Sequence, residues 1–490
     1  MKLYKNPKLY RNFIIKYTLI AAVSLSGTLI LHAQEKKKMN VLFILADDLR
    51  PNLNCYGDQV AVTPNIDKLG KSGVIFNRAY CQQAVCNPSR ASMLTGLRPD
   101  EIGVVNLETH FRNKKADLVT LPQAFKNNGY LTVGAGKVFH TLLGEKDLES
   151  WSAPVNTYGE SNYVLEKNKI GKGAKKAVAE SADVADDAYA DGKIAEAAIQ
   201  LLDESTNSGK PFFMAVGFKK PHAPFCAPEK YWNIYKDSKF VIENRARPMG
   251  SPDIAYHAWQ ELRGYNDIPK QGPIPADKER EIWNGYYACI SYVDAQIGKI
   301  VDHLEKLGLR ENTIIVLWGD HGYHLGEQDL WCKSTNFELD ARVPLIIDAP
   351  SMRVNGKKSD AIVETVDIYP TLIDLCGIKE SNALSGKSLR NILMSPKEKG
   401  RNIAFSQFVR PYNAITKGKL THMGYSLRTE DWRCTYWYDL ADHTIVAKEL
   451  YNLKGKKMEE ENVSGKPAYA KVESELAGLI EQYKMGKYKK

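Results

Sequence analysis

The stretch NVLFILADD, Asn40 to Asp48, sets the reading of the whole chain. Six apolar residues, Val41 to Ala46, run without a polar break and end on two adjacent aspartates. A strand with one wet face alternates apolar and polar positions. An unbroken run of this length fits a parallel strand covered on both faces. Acidic residues directly after such a strand lie at its carboxyl end, where open α/β sheets bind ligands.

The same logic extends outward. YLTVGAGKV, PFFMAVGF, NTIIVLWGD and VPLIIDAP read as further strands. Between them lie helical patterns: NIDKLGKSG and LPQAFKNNG, each closed by a glycine, then the amphipathic KIAEAAIQLLDES and the long YYACISYVDAQIGKIVDHLEKLG. This alternation predicts an α/β fold with a large, mostly parallel sheet flanked by helices. Near Leu389 the pattern changes. NIAFSQFV, MGYSLRT and WRCTYWYDL are short and turn-separated, and AKVESELAGLIEQY is a closing helix. A smaller α+β subdomain, a short antiparallel sheet plus a helix, is therefore expected over 390–490, after a main domain over 34–389. The Pro-, Gly- and polar-rich segment Asp237–Glu279 reads as a long insertion near the substrate entrance.

The chain has 490 residues, 43% apolar and 26% charged, which supplies ample material for a large core. Residues 1–33 read as a secretory signal peptide: a basic leader, the apolar run Tyr17 to Leu31, and the small residue Ala33 as cleavage point. The run is short for a membrane anchor and is diluted by Ser24, Ser26, Gly27 and Thr28. Loss of Lys2, Lys5, Lys8, Arg11 and Lys16 lowers the formal net charge from +9 to +4. A mildly basic exported protein, periplasmic in a Gram-negative cell, is compatible with an anionic substrate, and nothing suggests nucleic acid or a lasting membrane span. The eight cysteines are scattered, with no C-x-x-C pair. A disulfide scaffold is not expected; an oxidising compartment leaves room for one or two bridges of open pairing.

Asp47 and Asp48 close the first strand, and Asp320 and His321 close NTIIVLWGDHG. Three carboxylates and an imidazole brought together from two strand ends make a largely oxygen-lined site suited to a hard divalent cation. Each pair alone reads equally well as a turn or a cap. The stretch CNPSRASMLTG, Cys86 to Gly96, adds a cysteine at a helix mouth, with Asn87 suited to the N-cap, Pro88 to the first turn, and Arg90 one turn in. Backbone N–H groups there favour an anion. Cys86 alone reads as a buried small hydrophobe or as a low-pKa thiolate nucleophile.

Cys86-Asn87-Pro88-Ser89-Arg90, running on to Thr95-Gly96, resembles the signature of the type I, formylglycine-dependent sulfatases. Asp47-Asp48, Gly136-Lys137, Pro221-His222, Asp320-His321-Gly322 and Val366-Asp367-Ile368-Tyr369-Pro370-Thr371-Leu372 fall in that family's order. DDLRPNLNCYGD, QQAVCNPSR, GKVFH, GFKKPHAPF and STNFELDARVPLI are similar to the branch of iduronate-2-sulfatases and bacterial glycosaminoglycan 2-O-sulfatases, as is the histidine at position 321.

The resemblance implies an alkaline-phosphatase-like fold and sulfate ester hydrolysis. It implies that a maturating enzyme oxidises Cys86 to formylglycine (3-oxoalanine), whose hydrate is the nucleophile. It implies Ca²⁺ bound by Asp47, Asp48, Asp320, His321 and the modified Cys86. By the same resemblance Arg90 holds the hydrated aldehyde, Lys137 and Lys333 grip sulfate oxygens, His222 protonates the leaving alcohol, and His140 deprotonates the remaining hydroxyl to expel sulfate. The expected substrate is a sulfated oligosaccharide, foremost 2-O-sulfated uronate cleaved from a chain end. Arg112, Lys219, Lys220 and Tyr323 are candidates for substrate recognition; His324 reads as structural. Competing readings are a sulfatase for a fucan or algal glycan, a phosphoesterase of the same superfold, and a glycan-binding protein with unmodified Cys86.

Overall fold

In the computed structural model, which describes residues 38–140, 147–158, 162–169, 176–352, 354, 356–379 and 383–486, Val41 to Ala46 lie within strand β1 (Asn40–Asp47), buried at every position. Side chains alternate across a strand. Val41, Phe43 and Leu45 enter one hydrophobic core, and Leu42, Ile44 and Ala46 enter a second on the opposite face. The signal peptide expected over 1–33 lies outside the described residues.

Fifteen further strands follow among the described residues. They are β2 (Val74–Tyr80), β3 (Leu131–Gly136), β4 (Ala179–Ala182), β5 (Phe212–Pro221), β6 (Phe225–Pro228), β7 (Thr313–Gly319), β8 (His324–Leu325), β9 (Trp331–Cys332), β10 (Arg342–Val343), β11 (Leu345–Asp348), β12 (Lys357–Glu364), β13 (Ala404–Arg410), β14 (His422–Arg428), β15 (Trp432–Asp439) and β16 (Ile445–Asn452). The large sheet runs β10-β2-β11-β7-β1-β5-β3, with β12 pairing β2. Six of its strands share one direction; β10 and β11 oppose them. The sheet is thus mixed and mostly parallel. VPLIIDAP supplies the antiparallel β11 because the chain returns along β7 from its carboxyl end instead of crossing behind the sheet. Two short pairs, β4-β6 and β8-β9, stand apart from it.

The helices Ala190–Asn207 and Ala276–Lys306 cover one face with buried residues such as Ile194, Leu202, Tyr286 and Ile297. The other face merges with the C-terminal sheet β13-β14-β15-β16, antiparallel throughout, whose Phe405, Trp437 and Leu450 share a core with Phe43 and Val316. The closing helix Ala470–Lys484 packs on β14 and β15, and Tyr483 stacks on Phe405 at 4.2 Å. Backbone and side-chain bonds join the two sheets: Gln407 N donates to Gln82 O (2.8 Å) and Phe405 N to Glu364 Oε1 (2.8 Å). All eight cysteines are free thiols.

Register then places the chemistry. Ala46 pairs with Gly319, so Asp47-Asp48 and Asp320-His321 leave adjacent strand tips. After a bulge Asp47 faces Pro221, which brings His222 alongside. Gly136 pairs with Gly217, which brings Lys137 to the same edge. Gly136 has φ 78°, and a Cβ on Gly217 would run into the Lys137 carbonyl. The two glycines let the chain cross closely enough to aim Lys137 inward.

Gly217→Ala is therefore expected to force Lys137 away and to cost roughly 1–3 kcal/mol as overpacking. Thermal unfolding should show a correspondingly lowered Tm.

Candidate active site

The helix Cys86–Thr95 is buried along its whole length, and its Cys86, Ser89 and Arg90 meet the tips of β1 and β7. Cys86 is its first residue and Val85 its N-cap. Asn87 does not cap, contrary to expectation: loop carbonyls recruit its amide, at Asn106 O (2.8 Å) and Thr109 O (2.9 Å). Cys86 Sγ lies 3.5 Å from Asp47 Oδ1, 3.5 Å from His321 Nε2 and 3.6 Å from Lys137 Nζ. Burial, and then Asp47, push the thiol pKa up. A low-pKa thiolate nucleophile does not fit this environment.

Arg90 ties the strand tips together. Its Nη2 meets Asp47 Oδ1 at 2.9 Å and its Nε meets Asp320 Oδ2 at 2.9 Å, with the side chain fully buried. Two of its N–H groups also serve the carbonyls of Lys137 and Val138. Lys137 Nζ pairs with the other oxygen of Asp47. Burial opposes ionisation of Asp47, yet Lys137 and Arg90 hold its carboxyl well below the usual range. Asp48 behaves differently. Burial raises it to about 7; Lys333 and His321 work against the rise, and Asp47 and Glu261 add to it.

Ligand atoms of Asp47, Cys86, Asp320 and His321 lie within 4.8 Å of one another, and those of Asp48, Cys86 and His222 form an overlapping group. Among the described residues Asp48 Oδ1 is buried without a hydrogen-bond partner, 3.5 Å from His321 Nε2. Burial disfavours charge on His321, but Asp320, with Cys86 and Asp48, lifts its imidazole to about 10. The field at Nε2 draws a cation, whether proton or metal ion. His321 Nδ1 faces Gly322 O at 3.0 Å, which leaves Nε2 toward the cluster. Hard oxygens, one imidazole and an orphaned carboxylate oxygen fit a divalent metal ion.

Lys333 Nζ bridges Asp48 Oδ2 (3.0 Å) and Glu261 Oε1 (2.8 Å). His222 Nδ1 faces Ala223 O at 2.5 Å, and its Nε2 points at Glu261 Oε1 (3.3 Å) and Asp48 Oδ2 (3.9 Å). Burial first, and Lys333 next, hold the His222 pKa well below its ordinary value. His140 is likewise held down, to about 3, by burial and by Lys137; its Nδ1 is buried without a partner among the described residues.

Glu261 escaped the sequence reading. It lies inside the expected insertion Asp237–Glu279, and that segment does reach the site, but a lone glutamate among polar residues carries no motif. The four recognition candidates are not brought into the cluster. The guanidinium of Arg112 is occupied by Asp147, Gln123 and the carbonyls of Ala116 and Leu118. Lys219 Nζ donates to Tyr158 O. Lys220 is buried and donates to His222 O (3.0 Å) and Pro224 O (2.5 Å), bracing the His222 turn. The Tyr323 ring is buried beneath Lys333, stacked on Tyr286.

The match to known proteins agrees with this geometry. Residues 39–378 fit the family model described as Sulfatase, and 326–486 fit that of the N-sulphoglucosamine sulphohydrolase C-terminal region. The iduronate 2-sulfatase of Mus musculus is 33% identical over 501 residues, covering 87% of this chain and 90% of that protein. A structure described as a 2-O GAG sulfatase superposes with TM-score 0.69 at 22% identity, covering 92% of this chain and 93% of its own. The phosphonate monoester hydrolase of Silicibacter pomeroyi superposes with TM-score 0.73 at 21% identity, covering 92% and 96%. The fold alone therefore does not choose between sulfur and phosphorus esters.

His140 gives a pH signature. Its pKa falls from 6.5 to about 3 on folding, so below pH 6.5 the unfolded chain binds a proton that the native state refuses. Its contribution to stability is full above 6.5 and declines as pH drops toward 3. Denaturant titrations of His140→Gln across that window should show a flatter fall in stability than the parent protein.

Proposed function

From the premise that the chain belongs to the sulfatase family, whose members hydrolyse sulfate esters, we propose that it removes 2-O-sulfate from terminal uronate residues of glycosaminoglycan-derived oligosaccharides, with Cys86 matured to formylglycine. The observation that carries this reading is the buried contact of Cys86 with Asp47, Lys137 and His321 between two strand tips. Likeness to iduronate 2-sulfatase supports a glycosaminoglycan sugar.

Asp47, Asp48, Asp320, His321 and the matured Cys86 would hold the metal ion, taken to be Ca²⁺, which when bound makes a neighbouring hydroxyl more acidic. Arg90, buried between Asp47 and Asp320, fixes that hydroxyl-bearing side chain. Lys137 and Lys333 present ammonium groups to the sulfate oxygens, in a site whose burial strengthens each contact. An incoming sulfate also offsets the Lys333 charge that holds His222 neutral. His222 Nε2 then takes up a proton more readily and passes it to the departing sugar oxygen. His140, kept neutral by burial, is set to accept the proton released as sulfate leaves. The basic leader, apolar run and small residue Ala33 within residues 1–33 support export, to the periplasm of a Gram-negative cell.

Tryptic peptide 79–90 from the native host should carry the mass of an aldehyde in place of the Cys86 thiol, and Cys86→Ala should abolish turnover. In a panel of sulfated disaccharides and a phosphonate monoester, 2-O-sulfated uronate should be cleaved fastest. Cleavage of 6-O-sulfated hexosamine with 2-O-sulfated uronate left intact would rule the substrate out.

Metal removal gives a separate expectation. Dialysis against a chelator should lower both Tm and activity, and Ca²⁺ at a hundred times its Kd should restore about 2.7 kcal/mol of stability. Asp320→Asn should erase that Ca²⁺-dependent shift in a thermal denaturation series.

A further inference from the structure

Lys333 sits in a turn with an unfavourable backbone. Cys332 and Ser334, on either side of it, have φ 72° and 91°, in the left-handed region that suits glycine. Backbone of this kind persists only where its surroundings impose it. On one side Asp340 Oδ2 accepts from Thr335 N (3.0 Å) and Thr335 Oγ1 (2.6 Å), while its Oδ1 meets His324 Nδ1 at 2.6 Å. On the other side the anchor comes from the C-terminal sheet.

That anchor is Arg410, the last residue of β13, 4% exposed. Its Nη1 donates to Ser334 O (3.1 Å) and Val409 O (3.0 Å), its Nε to Ile254 O (2.8 Å) and its Nη2 to Ala255 O (2.8 Å). Among the described residues it makes no ion pair; its charge faces the rings of Phe408 and Trp437, each at 5.2 Å. Burial draws its pKa down to about 10. A buried cation without a carboxylate partner is costly, and an apolar side chain would fill the space with less penalty. What the guanidinium offers is its rigid fork, which joins carbonyls of segments far apart in sequence. One of those segments carries Lys333. The other, Ile254–Ala255, leads to Glu261, the second carboxylate on Lys333.

We propose that Arg410 is a positioning residue for Lys333: its fork sets the Ser334 carbonyl and the 254–255 segment, and so aims both the Lys333 ammonium and its Glu261 partner. The C-terminal sheet thereby takes part in anion binding without touching the substrate. This rests on the reading above that Lys333 holds sulfate oxygens.

A double-mutant cycle on the matured enzyme tests it, with inorganic sulfate as the probe and its inhibition constant as the readout. Lys333→Ala should weaken sulfate binding. Arg410→Lys keeps the charge and loses the fork, and should weaken it by about tenfold, since small displacements of a binding group are costly. In the Lys333→Ala background the same Arg410→Lys change should add less than about twofold, the non-additivity of residues acting as one unit. An equal effect in both backgrounds, or no effect in either, overturns the proposal. Sulfate binding left intact by Lys333→Ala overturns the role of Lys333 itself, a different failure. Should Arg410→Lys fail to fold, Arg410→Gln, which keeps an amide donor and loses both the charge and the fork, carries the same cycle with the same two outcomes.

Discussion

The Arg90 guanidinium, buried between Asp47 and Asp320, is the contact on which the rest of the site depends. Two carboxylates leave neighbouring parallel strands at the same level and point into one small volume. Alone they would repel in a medium that screens poorly. The guanidinium lies between them, fixed by the helix that also carries Cys86, so one turn of helix sets both the reacting position and the spacing of the acids around it. Removing such a partner leaves uncompensated buried charge, at about 3–5 kcal/mol.

Charge in the cluster is arranged as a gradient. Asp47, flanked by Arg90 and Lys137, is fully committed as an anion, whereas Asp48 and Glu261 share the Lys333 ammonium. The side nearer Asp48 therefore keeps carboxylate capacity to spare, including an oxygen with no hydrogen-bond partner among the described residues. The two histidines beside the lysines are kept neutral, and the histidine among the acids is kept charged or ligated. Three imidazoles of equal intrinsic acidity acquire different tasks from their neighbours alone.

Much of this could be read from residues. The run Val41–Ala46 gave away a doubly covered strand, and the acids after it lay where the fold puts ligands. Asp320 and His321 were legible at a strand end, Cys86, Arg90, Lys137, His222 and Lys333 through the family resemblance, and the structure gathers them. What sequence concealed has physical reasons. β2 carries Asn77 and Arg78 in its middle, β12 opens on exposed lysines, and Lys448 and Glu449 divide β16, so none shows a long apolar run. Asn87 fits a cap by type, but loop carbonyls compete for its amide. Arg112 and Lys220 resemble ligand-binding cations until their acceptors are known, and those acceptors are carbonyls and an acid brought close by the fold. Glu261 and Arg410 act through contacts distant in sequence, which no local spacing encodes.

The helix that begins at Cys86 has no exposed residue, and the loop ahead of it is bonded to β13, since Ser406 Oγ donates to Cys81 O and Gln407 N to Gln82 O. That strand comes late in the chain. During synthesis the cysteine emerges long before the strand that seals it in. Any change to that thiol therefore belongs to the chain before β13 closes over the loop, and the finished fold withholds Cys86 from a macromolecular partner.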